Sequence, residues 1–219
     1  MAPKIVSEHE RMLTRQAIMN QTKKLIAIKR GIKTITVDDI TQAIGMAKGS
    51  FYGYFPSKEA CIYEVIEQAY EMDLIQLEAI MKEQISLEEK VEKFVMDIFL
   101  GVDGIDRYIT SKDYEILLRK LPHESRTRDG SWAEITIKGL MDLFKLERVQ
   151  VESITMLFDC IRYLTTQAIM SEAVKEESIK TLTKTIASYI RAHSSNLEGA
   201  DGSSFAPFPM QELLWLGGY

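Results

Sequence analysis

The chain has 219 residues, of which 46% are hydrophobic, enough for one large globular domain or two smaller ones. Residues 1–60 carry ten Lys or Arg against five Asp or Glu, whereas the rest carries seventeen against twenty-seven. This basic head favours a polyanionic partner, with charge clustering on a solvated face as the alternative. No run approaches the ~18 apolar residues of a membrane span, and no secretory signal is visible, so we expect a cytoplasmic protein without a membrane partner.

Apolar residues recur at intervals of three and four almost throughout the chain, and no stretch shows convincing strand alternation. The predicted fold class is therefore all-α. The first helix is expected over residues 14–30, and Gly31 is expected to end it in a left-handed conformation. Three apolar positions are predicted to share its buried side: Ile18, Leu25 and Ile28.

The next two elements are short. Thr36 is predicted to begin a helix by accepting a hydrogen bond from the amide of Asp39, and Gly45 to end it after two turns. On a helix over residues 47–55, Phe51 and Phe55 fall in one narrow sector with Ala47 and should anchor the helix in a core. The opposite side has little bulk and is flanked by two tyrosines: Gly49, Ser50 and Gly53 with Tyr52 and Tyr54.

A two-turn helix, a glycine turn and a second short helix predict a helix-turn-helix, in which the second helix enters the major groove of DNA. Lys48 should face phosphates or base edges, and Lys58, at the start of the following helix, a phosphate further along. Glycines on an exposed helix face lower its stability, so Gly49 and Gly53 indicate close backbone approach to a partner.

A larger helical body follows. The last two long helices are joined by a very short link around Ser171 and are expected to form an antiparallel pair. Cys61 and Cys160 both lie within apolar patterns, which predicts buried thiols rather than a disulfide. The predicted helices of the body cover residues 57–82, 86–101, 112–121, 131–145, 148–170 and 174–191.

The run TVDDITQAIGMAKGSFYGYFPSKEA closely resembles the DNA-binding signature of the TetR family of bacterial transcriptional regulators, and the resemblance extends over residues 12–65. It implies DNA contacts that are mostly to phosphate, with Lys48 and Ser50 the better candidates for base contacts. Ala27, Ala47 and Gly53 depart from the family's usual residues, so the operator sequence does not follow from the resemblance. The predicted DNA-binding residues are Thr36, Lys48, Gly49, Ser50, Tyr52, Gly53, Tyr54 and Lys58.

The resemblance also implies a domain plan: a helix-turn-helix domain over residues 1–56, and a helical domain over 57–196 that binds a small-molecule effector and dimerises through its last two helices. Eight apolar residues on these helices are expected at the homodimer interface, with packing on the body as the alternative. They are Ile154, Leu157, Ile161, Leu164, Ile179, Leu182, Ile186 and Ile190.

The effector pocket is expected among aromatic and methionine side chains of the body, although core packing is the alternative role for each of them. The tail, residues 197–219, differs in composition and is either an appended peptide or a natural partner-binding segment. The candidate pocket residues are Phe94, Tyr114, Trp132, Met141 and Phe158.

No motif predicts catalysis, a cofactor or a metal site, since His9, His123 and His193 lack metal-ligand spacing partners. We therefore expect a non-enzymatic, ligand-responsive regulator, usually a repressor in this family. It would bind a palindromic, double-stranded DNA operator as a dimer and be released by an effector. The alternative is a helical interaction module that acts through its body or its tail.

Overall fold

The computed structural model describes residues 7–101, 104–121 and 132–194, with side chains for all of these except 111 and 132–136. Within these ranges the chain forms nine α-helices and no strand, which confirms the all-α prediction. A π-helical stretch, Phe94–Phe99, continues the fifth helix, and a 3₁₀ turn, Ile105–Arg107, precedes the sixth. The helices are α1 Glu8–Lys29, α2 Val37–Ala43, α3 Lys48–Phe51, α4 Lys58–Met81, α5 Leu87–Lys93, α6 Ser111–Lys120, α7 Trp132–Phe144, α8 Arg148–Thr165 and α9 Glu172–His193.

The chain divides into two compact units. The first comprises Met1–Tyr70 and Tyr108–Arg128, and the second comprises Glu71–Arg107 and Asp129–Tyr219. The domain boundaries expected after residues 56 and 196 stay predictions, and the tail from 197 lies outside the described residues. None of the described helices combines the length and the apolar character that a membrane crossing requires.

In the first unit, α1 begins six residues earlier than predicted. Ser7 and Glu10 form a capping box, in which each side chain accepts a hydrogen bond from the other residue's backbone amide. The helix therefore starts at Glu8 rather than at residue 14. At the other end the left-handed residue is Arg30, with φ 51°, and Gly31 follows at φ 144°. The Gly31 amide donates to the carbonyl of Ile26, which satisfies one of the last helical carbonyls.

The buried face of α1 differs from the prediction at one position. Ile18 and Leu25 are buried as expected, but Ile28 is 73% exposed and Ile26 takes its place in the core. Ile26 and Ile28 are two residues apart, which is about 200° around the helix axis, so they lie on nearly opposite sides of α1. Other fully buried side chains of this unit are Ile35, Ile40, Phe51, Phe55, Ile62 and Ile66.

The turn between α2 and α3 is set by Gly45. Its φ is 68°, its amide donates to Gln42, and the amide of Met46 donates to the carbonyl of Thr41, which is the hydrogen-bond pattern of a Schellman motif. The prediction of a helix over 47–55 is wrong in length, because α3 is a single turn, Lys48–Phe51, followed by tighter turns. Gly53 has low helix propensity, and Pro56 disfavours the helical conformation at Phe55.

In the second unit, α9 packs against α5 and α8, and α7 packs against α8. α8 ends at Thr165, earlier than predicted, so residues 166–171 connect the pair. All eight residues predicted for the dimer interface lie in, or pack against, this unit's own core, which is the alternative role considered for them. The prediction of two buried cysteines is half wrong, since Cys61 is buried and Cys160 is exposed on the outer side of α8.

Candidate nucleic-acid interface

Two phenylalanines fix α3 in the first unit. Phe51 and Phe55 are both 0% exposed, and their ring centroids lie 5.8 Å apart. The ring of Tyr52 meets the ring of Phe51 edge-on, with centroids 5.5 Å apart, so this packing restricts the orientation of the exposed tyrosine. Burial of aromatic side chains of this size contributes about 1.5–3 kcal/mol each and holds the short helix in one orientation.

The opposite side of this segment faces solvent. We call it the recognition face, and it consists of Lys48, Gly49, Ser50, Tyr52 and Gly53, all exposed. Tyr54, predicted to flank it, is half-buried, and Ala47, predicted to share the anchoring sector, is exposed. The predicted helical spacing therefore places the two phenylalanines and the polar face correctly. Ala47 is exposed because it is the extended residue before α3 rather than part of the helix.

Two arginines of α1 brace the chain that follows α3, and the sequence analysis missed both. The guanidinium of Arg11 donates to the carbonyl of Gly53 at 2.7 Å and lies 5.6 Å from the ring centroid of Tyr54. Arg15 stacks over Phe55 at 4.4 Å and pairs with Glu64 on α4. A start at residue 14 left Arg11 outside the helix, whereas the capping box at Ser7 would have included it.

Thr36 and Asp39 form the predicted cap of α2. The amide of Asp39 donates to the Thr36 hydroxyl at 3.1 Å, and that hydroxyl donates to the Asp39 carboxylate at 2.6 Å. The Lys29 ammonium also donates to this carboxylate at 2.6 Å. The hydrogen bond from Lys29, followed by those from Thr36, lowers the pKa of Asp39 to about 2. The Thr36 hydroxyl, predicted to contact DNA, is thus already engaged in the cap.

Lys48 is the first residue of α3, and its ammonium has a partner on α2. Its Nζ lies 2.8 Å from a carboxylate oxygen of Asp38, and both side chains are about half exposed. This hydrogen bond is the main reason why the pKa of Lys48 is raised above its ordinary value. Lys48 therefore stays protonated, but it forms an ion pair with Asp38, a residue that was not predicted to belong to the site.

Lys58 is placed differently from an exposed phosphate contact. Its Nζ donates to the carbonyl of Ile35 at 2.7 Å, and its side chain is only 27% exposed. Ile35 itself is fully buried and lies just before the cap of α2. Lys58 thus connects the start of α4 to the segment that leads into α2.

The candidate effector residues do not lie in one unit. Phe94 and Phe158 meet edge-on with centroids 5.8 Å apart, and both pack with Met141 against the core of the second unit. Tyr114 lies in the first unit, where it stacks on Tyr63 at 6.3 Å, and burial raises its pKa. The side chain of Trp132 lies outside the described residues. The structure thus brings three of the five candidates into one core.

Within the described ranges, no group of three or more His, Cys, Asp or Glu side chains is arranged to hold a metal ion. A short helix anchored by aromatics, preceded by a capped two-turn helix and a glycine turn, defines a helix-turn-helix of the DNA-binding class. The one lysine and the small side chains of the recognition face are compatible with the approach of a duplex.

Comparison with known proteins shows a similarity to one family. Residues 18–65 match the model of the bacterial regulatory proteins of the tetR family. The uncharacterized HTH-type transcriptional regulator YfiR of Bacillus subtilis (strain 168) is 24% identical over 126 residues, which are 58% of this chain and 60% of that protein. The chain thus spans about three fifths of this relative's length. Residues 18–65 are thus similar to the DNA-binding domain of TetR-family transcriptional regulators, and the name of the Bacillus relative indicates the same class of protein.

Proposed function

We propose that the protein binds a palindromic DNA operator as a homodimer, that it represses transcription there, and that a small-molecule effector releases it. The observation that carries DNA binding is the division of one segment between a fully buried side, Phe51 and Phe55, and the exposed recognition face. In a dimer, two such faces about 34–36 Å apart would enter successive major grooves. An effector that binds better to an arrangement with another separation would lower operator affinity.

The recognition face supplies the chemistry for this contact. The Lys48 ammonium and the Ser50 hydroxyl are suited to base edges, whereas Tyr52 can donate its hydroxyl to a phosphate oxygen. At Gly49 a Cβ would meet no atom within 4 Å other than those of its chain neighbours and its own helix backbone, so its surroundings are open to a partner. Tyr54, Thr36 and Lys58 are predicted contacts with less freedom, since each is half-buried or already hydrogen-bonded.

DNA binding is tested with a duplex that the wild-type protein itself selects from a randomised pool. Fluorescence anisotropy should show tight binding to the selected duplex and at least 10-fold weaker binding to a scrambled duplex of the same composition. Lys48→Ala should weaken binding to the selected duplex. Lys24→Ala, a change at an exposed lysine of α1, should lower this affinity far less. Selection that returns no preferred sequence would overturn the proposal.

The dimer surface we propose is an outer stripe of α8: Val149, Met156, Cys160 and Tyr163. Val149, Met156 and Tyr163 are spaced seven residues apart and therefore share one side of the helix. All three are more than 60% exposed, while the other side of α8 is buried in the core. Large apolar side chains repeated on one exposed side of a helix are typical of a protein interface. A second copy of the chain is the occupant that the similarity to TetR-family regulators supports.

The stripe is tested by the double variant Met156→Glu and Tyr163→Glu, which should convert a dimer into a monomer in light scattering. Met72→Glu, at an exposed methionine of α4, is the matched control and should remain dimeric. Thiol labelling gives an independent measurement: Cys160 should react slowly in the wild type and quickly in the double variant, while buried Cys61 stays unreactive in both. A wild-type chain that is monomeric at all concentrations would refute the dimer.

A further inference from the structure

We propose that Asp38 is a specificity-determining residue, which keeps the Lys48 ammonium away from DNA phosphates and leaves it available for base edges. This inference rests on the proposed DNA-binding function. Asp38 lies in the first turn of α2 and Lys48 opens α3, so the pair joins the two helices of the helix-turn-helix. Their charged atoms are 2.8 Å apart.

The neighbouring acid shows that Asp38 is not required for the helix cap. Asp39 completes the capping box with Thr36 and accepts a hydrogen bond from the Lys29 ammonium. The cap of α2 and the pairing of Lys29 therefore do not involve Asp38. Asp38 contacts Lys48 instead, with 52% of its side chain exposed against 55% for the lysine. The carboxylate therefore lies at the surface next to the recognition face.

The two classes of DNA acceptor respond differently to this carboxylate. A lysine ammonium has three hydrogen-bond donors, so one can stay with Asp38 while two reach the neutral O6 and N7 of a guanine. A phosphate in the same place would bring a second negative charge beside Asp38, and like charges at that distance repel. Asp38 therefore disfavours complexes in which Lys48 neutralises a phosphate, and these include most non-specific complexes.

The main test compares Asp38→Asn with wild type on the selected duplex and on the scrambled duplex at several salt concentrations. Asp38→Asn should tighten binding to the scrambled duplex by about 3- to 10-fold and change binding to the selected duplex by less than about 2-fold. The plot of log K against log salt for the scrambled duplex should steepen by about 0.9, the value of one additional phosphate contact. Over a fourfold range of salt this slope alone corresponds to about 3.5-fold in affinity.

Three further variants separate this role from others. Asp38→Glu keeps the charge and should keep the discrimination between the duplexes. Adding Lys48→Ala to Asp38→Asn should abolish the gain on scrambled DNA, because the gain acts through that lysine. Glu92→Gln removes one exposed acid of α5 in the second unit and should leave the ratio of affinities unchanged.

The outcomes are distinct. Equal tightening on both duplexes, or none, would overturn the role of Asp38 while DNA binding stands. A lower melting temperature with an unchanged affinity ratio would also overturn it, since favourable interaction with the helix dipole of α2 would then be its only role. Failure of the wild type to prefer any duplex would instead remove the proposed function.

Discussion

Replacing Lys58 with methionine distinguishes a structural role from DNA contact at this position. Methionine keeps most of the apolar stem and removes the ammonium that donates to the Ile35 carbonyl at 2.7 Å. The carbonyl belongs to a fully buried residue just before α2, so its loss of a partner should loosen the helix-turn-helix. The sequence alone predicts a different effect, the loss of one phosphate contact.

The expected loss of stability follows from the hydrogen bond. Hydrogen bonds that involve a charged group contribute about 1.5–3 kcal/mol. The Lys58 side chain is 27% exposed, and solvent can replace part of the bond, so we expect about 1–2 kcal/mol. For a chain of this size each kcal/mol lowers the melting temperature by about 2–4 °C. Lys58→Met should therefore melt about 2–8 °C below wild type, by the same conversion.

Calorimetry and salt-dependent anisotropy on the selected duplex measure the two roles separately. Lys24→Met serves as control, because it removes an exposed lysine from α1 of the same unit. The structural role predicts lower stability with a nearly unchanged salt slope. Unchanged melting together with a salt slope reduced by about 0.9, the signature of a lost phosphate contact, would refute the reasoning.

Three other substitutions test separate parts of the structure. Gly49→Ala should leave stability unchanged or raise it by up to about 1 kcal/mol, since nothing blocks the methyl group, but should weaken binding to the selected duplex in anisotropy. The pKa of Asp39 is lowered from 3.8 to about 2, so its stabilising effect is complete above about pH 4 and lost as the pH falls to about 2. With Asp39→Asn, the free energy of unfolding measured in urea should therefore depend less on pH between about 2 and 4. Arg162→Met should destabilise the second unit by about 3–5 kcal/mol in urea unfolding, because Asp106, 3% exposed, loses its guanidinium partner, and adding Asp106→Asn should recover part of this.

Features that depend on a few neighbouring residues could be predicted from the sequence. The cap at Thr36, the turn at Gly45 and the burial of Phe51 and Phe55 were all predictable, because each depends on local spacing. The start of α1 was predictable in the same way, since Ser7 and Glu10 have capping-box spacing. The predicted start at residue 14 was wrong because it followed apolar periodicity alone.

The inner side of α8 could not be predicted in this way. The helix has apolar residues on two sides, one with Ile154 and Ile161 and the other with Met156 and Tyr163. Periodicity shows that both sides exist, but packing against α7 and α9 decides which one becomes the core. The predicted dimer residues belong to the inner side, whereas Val149, Met156 and Tyr163 of the outer stripe are exposed.

The partners of the lysines were equally hidden, because they lie on other elements. Ten residues separate Lys48 from Asp38, and twenty-three separate Lys58 from Ile35. A count of charges treats each lysine as available to DNA, although the fold assigns both of them an oxygen acceptor. The sequence could therefore indicate which lysines belong to the candidate site but not their hydrogen-bond partners.

This pairing changes what the basic character of residues 1–60 means. Arg15, Lys29 and Lys48 each contact a carboxylate, and Lys58 contacts a backbone carbonyl. A cation that keeps such a partner releases fewer counterions on binding DNA than an unpaired one, so the salt dependence should be shallower than the ten basic residues suggest. Discrimination among sequences then depends more on the fit of the recognition face to base edges, since the sequence-independent attraction is weaker.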